Sequence, residues 1–242
     1  MRSVEGERLE YGSLEVAANW YRLIPSRFPP VSLYERVAPE VDWEAIHAVE
    51  ELTNPRVQAS KLITSQGQIS EGAARLQNWN LAPFTYLNPE GTWLLDPFIG
   101  ALELADCLQT ALATSVRKRE LFLKRTNEPP LDLDMRVLCT RVCGKFADLR
   151  NLDPTITQSA RWRIGESLLQ DGAAGAVFKS PYREAGACLA VFKADVLERS
   201  LQSEHFRFVW DGAKIKSIYS FNSAKTLSPE QIFAKEAITQ AA

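Results

Sequence analysis

The amino-acid sequence predicts an α+β fold built as one compact domain. Helical and strand patterns occur in mixed order, without the regular alternation of strand and helix that marks a parallel α/β sheet. Of the 242 residues, 45% are apolar, which is enough to bury one core. The chain carries no internal repeat, no glycine-rich phosphate loop and no GxSxG motif.

Proline breaks organise the start of the chain. Trp20 to Ile24 is an aromatic and β-branched run that predicts a strand, and the prolines that follow predict an extended segment over 26–39. Asp42 is the expected N-cap of a helix that ends near Thr53.

A polar stretch over 54–80 has little periodicity and indicates a surface excursion. Phe84 to Leu87 is a candidate strand. Asn88-Pro89-Glu90-Gly91 predicts a turn, because Pro at the second place and Gly at the fourth match turn preferences.

A long helix is predicted next. Asp106 with Gln109 suggests a capping box that opens a helix ending near Lys124. The residues expected on one face are Leu108, Leu112, Ser115, Arg119 and Phe122. The basic cluster at 117–119 is interpreted as a solvated helix end.

The second half predicts strands around one further helix. Met135 to Val142 alternates as a strand does, and Asp153 or Thr155 is expected to cap a helix that ends near Leu169. The remaining predicted strands are Gly175 to Phe178, Cys188 to Phe192, and a hairpin of Phe206 to Trp210 with Ile215 to Phe221 around an Asp211-Gly212 turn. Ser228 is expected to begin a final helix that either docks or dangles.

Composition narrows the function classes. The net charge of −2 and pI of about 5.9 argue against direct binding of nucleic acid. The most apolar window is interrupted by acidic residues, so no membrane span is expected, and the N-terminus lacks a signal peptide pattern, which predicts a cytoplasmic protein. Four scattered cysteines and two histidines do not match metal-site spacing, so no metal is expected.

Three stretches resemble a known family. They are YRLIPSRFPPVSLYERVA at 21–38, FTYLNPEGTW with the following helix and RTNEPPLDLDMRV at 84–137, and GAAGAVFKSPYREAGACLAVF at 172–192. Together they resemble the longer members of the RES-domain family, over about residues 20–222. This implies an N-terminal extension over 1–19, a RES-like domain over 20–222 and a helical tail over 223–242.

The resemblance implies a domain similar to ADP-ribosyltransferases, which is often a toxin paired with an Xre-type antitoxin. Members of the family cleave NAD or transfer its ADP-ribose. In such a site arginines hold the pyrophosphate, an aromatic packs on the substrate, and a carboxylate stabilises the oxocarbenium-like centre. NAD is therefore the expected substrate, an antitoxin is the expected partner, and a homo-oligomer is left open.

The positions that match the family's functional residues are partly changed. Arg22 meets the early arginine, with Arg27 as a competitor. Trp93 stands where the resemblance implies an arginine, Glu103 where it implies a tyrosine, and Thr114 where it implies the catalytic glutamate. An alternative alignment uses Arg75 as the second arginine but leaves the Asn-Pro-Glu-Gly turn without a counterpart.

Ser180 matches the family's serine directly. It is either a pocket residue or the serine of a turn. Glu103 either replaces the missing glutamate in part or is a charge on an exposed strand edge. Arg183 and Arg22 are candidate phosphate contacts.

These matches lead to two hypotheses. The first is a toxin-like RES protein that acts on NAD with weakened or lost activity, with Ser180 and Glu103 as the catalytic candidates and Arg22, Trp93, Thr114 and Arg183 as the cofactor-binding candidates. The second is a non-catalytic protein that keeps the fold and binds an antitoxin or a homologous partner.

Overall fold

A computed structural model describes residues 11–26 and 78–237. The predicted extended segment over 26–39 is covered only at Ser26. The predicted helix from Asp42, most of the polar excursion, Arg27 and Arg75 lie outside the described residues.

Two long strands form the centre of the sheet. β1 (Gly12–Pro25) pairs antiparallel with β3 (Leu131–Asp148) along its whole length, from Gly12 opposite Asp148 to Pro25 opposite Met135. Both predicted strands are confirmed, and each extends beyond the apolar run from which it was predicted. The expected division between residues 19 and 20 falls inside β1, so the described part of the N-terminal extension belongs to the sheet.

The remaining elements follow in chain order. The strands are β2 (Leu102–Ala105), β4 (Gly175–Lys179), β5 (Ala187–Val191), β6 (Leu201–Trp210), β7 (Ile215–Ser220) and β8 (Lys225–Leu227). The helices are α1 (Asn78–Thr85), α2 (Leu108–Arg125), α3 (Gln158–Gln170) and α4 (Pro229–Phe233), with a 3-10 turn at Ala194–Val196.

The eight strands form one sheet in the order β1-β2-β5-β4-β3-β6-β7-β8, and the additional pairing of β1 with β3 closes the first five into a ring. Among the strands that the structure describes, only the pairing of β3 with β4 is parallel. β6, β7 and β8 extend the sheet as an antiparallel meander from the other half of β3. The prediction of an α+β fold is confirmed.

The ring gives the sheet an inner and an outer face. Trp20, Leu102, Leu104 and Phe146 share the inner core with Phe84 of α1. The outer face packs against α2 and α3 in two further clusters. Since neighbours along a strand point to opposite faces, residue parity decides which face a functional side chain occupies.

The predicted strand at Phe84 to Leu87 is wrong, because this segment is the end and exit of α1. Phe84 is fully buried in the inner core, and tertiary packing overrides its strand propensity. Pro83 inside α1 has no N–H to offer to the carbonyl of Trp79, four residues earlier. That carbonyl instead accepts a hydrogen bond from the Arg22 guanidinium.

The turn at 88–91 is confirmed by a hydrogen bond from the Gly91 N–H to the Asn88 carbonyl, at 2.8 Å. The predicted α2 is also confirmed, but its capping box is wrong. Cys107 is the N-cap, and its side chain forms no capping bond to the helix backbone, while the Asp106 carboxylate accepts the Ala187 N–H at 2.9 Å. Asp106 therefore ties α2 to the neighbouring loop.

Two details of the helical faces differ from the expectation. Phe122 was expected on the packed face of α2 but is 53% exposed, whereas Val116 and Leu123 are buried there. In α3 the cap is Thr157, whose hydroxyl accepts the Ala160 N–H, and neither Asp153 nor Thr155 takes that role.

The predicted strands β4 and β5 are confirmed, as is the hairpin of β6 and β7. Gly212 in its turn has φ of 96°, the positive value that the Asp-Gly pair predicts. The last helix docks, because Ile232 is fully buried against α2 and β7. Ser228 and Gln231 form its capping box.

Candidate functional site

The candidate site lies on the outer face of the sheet, between β2, β4 and α2, and Glu103 of β2 is its central carboxylate. It lies between Leu102 and Leu104, which face the inner core, so its side chain points outward toward α2. One carboxylate oxygen accepts a hydrogen bond from the backbone N–H of Trp93 at 3.1 Å, and the other accepts a hydrogen bond from the ammonium of Lys118 in α2. β2 is an internal strand of the ring, and the side chain of Glu103 is only 16% exposed, which rules out the interpretation as an exposed edge charge.

The ion pair fixes the charge state of both partners. Burial by itself would raise the pKa of Glu103, but the Lys118 charge, its hydrogen bond and the Trp93 N–H outweigh burial and lower that pKa. Burial would lower the pKa of Lys118, and the Glu103 carboxylate outweighs it and raises that pKa. The Lys118 side chain is 47% exposed, as the interpretation of the 117–119 cluster as a solvated helix end expects, but its ammonium also pairs with Glu103.

Trp93 forms the aromatic wall of the site. Its ring stacks on Phe178 of β4, with centroids 4.1 Å apart and planes 3° from parallel. The Arg161 guanidinium from α3 lies 5.0 Å from the Trp93 ring centroid and donates to the Trp93 carbonyl at 3.1 Å. Trp93 is held rigidly by these contacts.

Ser180 begins a closed loop after β4. Its hydroxyl oxygen accepts the N–H groups of Tyr182 and Arg183, at 3.3 and 3.2 Å, and its own N–H donates to the Gly186 carbonyl at 2.9 Å. A Cβ on Gly186 would lie 2.5 Å from the hydroxyl oxygen of Thr110 in α2. The glycine thus lets this loop sit directly on α2.

The same loop places Arg183 under the C-terminal segment. Arg183 is 6% exposed and donates to the Thr110 hydroxyl at 3.3 Å. It also donates to the carbonyls of Ala234 and Lys235, at 3.1 and 2.9 Å.

Thr114 lies on α2 between Thr110, which contacts Arg183, and Lys118, which pairs with Glu103. Thr110, Thr114 and Lys118 follow one another at four-residue spacing and form one stripe along α2. The hydroxyl of Thr114 is buried and has no hydrogen-bond partner among residues 11–26 and 78–237, and the same holds for Oδ1 of Asp106 beside the start of α2.

The Cys188 thiol on β5 is buried and borders the site. Burial first, and then the nearby Glu103 charge, raise its pKa to about 12, although Ser180 and Lys118 act in the opposite direction. Since the thiolate is the reactive form, Cys188 offers no nucleophile near neutral pH.

Arg22 lies apart from the other predicted residues. It shares the inner face of β1 with Trp20, while Glu103 points outward from β2. Burial lowers the pKa of Arg22 to about 10. Arg136 is its diagonal neighbour, since Ile24 stands opposite Arg136 in the β1–β3 register, and its guanidinium lies 5.3 Å from the Trp79 ring centroid.

The structure thus brings five of the six predicted residues to one side of the sheet, namely Trp93, Glu103, Thr114, Ser180 and Arg183. It leaves Arg22 on the inner face. The sequence reasoning did not select Lys118 and Arg161 on the outer face or Arg136 on the inner face. The four-residue spacing of Thr114 and Lys118 was an available signal, whereas Arg161 and Arg136 carry no local signal.

Within the described ranges, no group of three or more His, Cys, Asp or Glu side chains could hold a metal ion. No helix in that part of the chain is long and apolar enough to cross a membrane.

A closed ring of strands with helices on its outer face and a polar cluster between β2, β4 and α2 defines a mixed α+β domain built on a single sheet. A family model described as "RES domain" matches residues 72–211, more than half of the chain. The chain belongs to the RES-domain family, which confirms the resemblance.

Two further proteins are similar to this chain. A protein of Sinorhizobium fredii strain NGR234, described as "Uncharacterized protein y4oC", is 48% identical over 205 residues, which cover 85% of this chain and 88% of that protein. A chain of the M. tuberculosis MbcT–MbcA toxin–antitoxin complex aligns with a TM-score of 0.43 and 14% identity, over 79% of this chain and 87% of that chain. The structural likeness is too low to carry an argument.

Proposed function

We propose that this chain is a toxin-like RES protein whose substrate class is NAD and whose cleavage activity is weakened or lost. The observation that carries the proposal is the state of Glu103, which has one oxygen on the Lys118 ammonium and the other on the Trp93 N–H. Thr114 stands where the family resemblance implies the catalytic glutamate and cannot carry negative charge.

The chemistry explains why these two positions matter. When the nicotinamide–ribose bond breaks, its electron pair leaves with nicotinamide and positive charge develops on the ribose. A carboxylate beside the ribose stabilises that charge, and loss of one such group typically lowers the rate by ~10²–10³. Glu103 is already neutralised by Lys118, so it is a poor substitute for a free carboxylate.

The binding half of the proposal rests on Arg183, which lies on the same side of the sheet as Glu103 and Thr114. Arg22 and Arg136 lie beside Trp79 on the inner face, and neither forms an ion pair with any residue that the structure describes. A guanidinium without a counter-charge suits a phosphate-bearing ligand, but Arg22 and the half-buried Arg136 lie across the sheet from Glu103. On the outer face Arg183 is the proposed phosphate contact, beside the catalytic candidate Ser180.

Restoring the missing carboxylate tests the proposal directly. We expect the wild-type chain to release little nicotinamide from NAD, and Thr114→Glu to raise the rate by about 10²-fold. Thr114→Gln is the matched control, because it has the same length without the charge. Nicotinamide would be followed by liquid chromatography, with melting temperatures recorded for all three proteins.

The opposite pattern contradicts the proposal. If the wild type already turns over NAD as fast as Thr114→Glu, and Ser180→Ala and Glu103→Ala both abolish that turnover, the chain is an active enzyme with a shifted pocket. In that case Glu103 acts despite its ion pair.

The same neutralised carboxylate favours a second function, a non-catalytic protein that keeps the fold and binds a partner. The proposed partner is an Xre-type antitoxin or a homologous chain, in a cytoplasmic setting. Co-expression with a helix-turn-helix protein encoded in the adjacent reading frame, followed by size-exclusion chromatography, tests it. A complex without NAD turnover supports this function, and separate elution of the two proteins contradicts it.

A further inference from the structure

The last described residues cross the beginning of α2. We define the C-terminal strap as residues 234–236, which follow α4 directly. The side-chain amide nitrogen of Gln109 lies 3.2 Å from the Ala234 carbonyl oxygen and 3.0 Å from that of Glu236. Arg183 holds the strap from the other side.

Two neighbouring nitrogen donors of the Arg183 guanidinium face the strap. Nε donates to the Ala234 carbonyl at 3.1 Å, and Nη2 donates to the Lys235 carbonyl at 2.9 Å. This pair of donors is one that binds the two oxygens of a carboxylate or phosphate in a fork. The strap carbonyls occupy the positions that such oxygens would take.

The charge of Arg183 is not balanced by these contacts. The side chain is more than nine-tenths buried, and its remaining contacts are the Thr110 hydroxyl and the Cys107 sulfur, at 3.3 and 3.9 Å. All of these acceptors are neutral. The strap carbonyls offer no negative charge to a buried cation, whereas an oxyanion adds the attraction between opposite charges, so an oxyanion would satisfy Arg183 better than the strap does.

The strap can leave without opening the core. Ile232 in α4 is fully buried, and Phe233 lies under the Arg117 guanidinium at 4.2 Å, so the chain is anchored before the strap begins. Beyond that anchor the ion pair between Lys235 and Glu184 adds little, because the two side chains are 67% and 72% exposed.

We propose that the C-terminal strap is a displaceable cover over an oxyanion-binding site at Arg183, which takes a phosphate or carboxylate group through Nε and Nη2. The proposal extends the phosphate role proposed for Arg183. Its probes are inorganic pyrophosphate and malonate, so its failure is distinguishable from a failure of NAD cleavage.

Tryptic cleavage after Lys235 in the full chain reports the position of the strap. We expect pyrophosphate or malonate, added at constant ionic strength in chloride buffer, to speed the release of residues 236–242 about tenfold in the wild type. Whichever anion is effective distinguishes a phosphate from a carboxylate ligand. If neither anion changes the rate, the proposal is overturned.

Two variants separate displacement from general charge attraction. Arg183→Gln should remove the effect of the anion on cleavage. Lys235→Ala, measured by calorimetry, should bind the effective anion about twofold to fivefold more tightly, because it loses up to ~1 kcal/mol of competing ion pair. Weaker binding by Lys235→Ala indicates simple attraction to surface charge and overturns the displacement mechanism, even if Arg183→Gln does not fold.

Discussion

Replacing Lys118 by Met should destabilise the protein by about 1–3 kcal/mol at pH 7. Removing one partner of a fully buried ion pair costs about 3–5 kcal/mol, while an exposed pair is worth about 0–1 kcal/mol. The Lys118 side chain is 47% exposed and that of Glu103 is 16% exposed, so this pair lies between the two limits. Met and Lys have similar helix propensities, so α2 itself is little affected.

Urea unfolding followed by tryptophan fluorescence gives the free energies of unfolding. The matched control is Arg125→Met on the same helix, because Arg125 pairs with Glu90 where both side chains are about half exposed. The control should lose less than ~1 kcal/mol. Glu103→Gln completes a double-mutant cycle with Lys118→Met, and the coupling free energy should be about 1–2 kcal/mol.

The pH dependence has a defined sign. The folded-state pKa of Glu103 is lowered from its ordinary value of 4.5, so its stabilisation is present above that value and is lost as pH falls through the folded pKa. The pKa of Lys118 is raised from 10.5, so its stabilisation is present below that value and is lost as pH rises through the folded pKa. The difference between wild type and Lys118→Met should therefore shrink in acid. Equal losses for Lys118→Met and Arg125→Met, or a difference that does not shrink in acid, would refute the reasoning.

Two further predictions concern the packing around the site. Gly186→Ala should lower the free energy of unfolding by about 1–3 kcal/mol, because its Cβ would meet the Thr110 hydroxyl at 2.5 Å. The control Gly12→Ala should change that free energy little, because the nearest neighbour atom is 3.8 Å away. Equal effects of the two variants in urea unfolding would argue against the close approach of Gly186 to α2. Burial raises the pKa of Cys188 to about 12, so Cys188 should resist a thiol reagent at pH 8 while the exposed Cys143 reacts. Equal labelling of the two cysteines in the native protein, measured by mass spectrometry, would contradict this expectation.

Local sequence patterns were informative where one element satisfies its own requirements. β3, the hairpin of β6 and β7, and the start of the last helix at Ser228 follow from alternation and turn or cap chemistry. The same reasoning failed at Phe84, where a β-prone aromatic residue ends a helix because the ring of strands needs its side chain in the inner core.

The candidate site was predictable only in part. Trp93, Glu103, Thr114 and Ser180 were selected by their places in a family pattern, and the structure places them on one side of the sheet. Lys118, the partner of Glu103, was not predicted, because it lies between two arginines near the end of a helix, where cations are common for other reasons. An ion pair between a strand and a helix fifteen residues apart has no local signature.

The sequence by itself determined the family and the α+β class, since these depend on residue identity and local order, and it supports the proposal that Thr114 stands in the place of a carboxylate. Only the tertiary structure decided that Glu103 is neutralised by Lys118, that Arg22 lies on the opposite face of the sheet, and that Arg183 is covered by the C-terminal strap. The physical reason is the closure of the ring. Once β1 pairs with both β2 and β3, strand parity assigns each side chain to the inner or outer face, and residues distant in the chain become the partners of its charges.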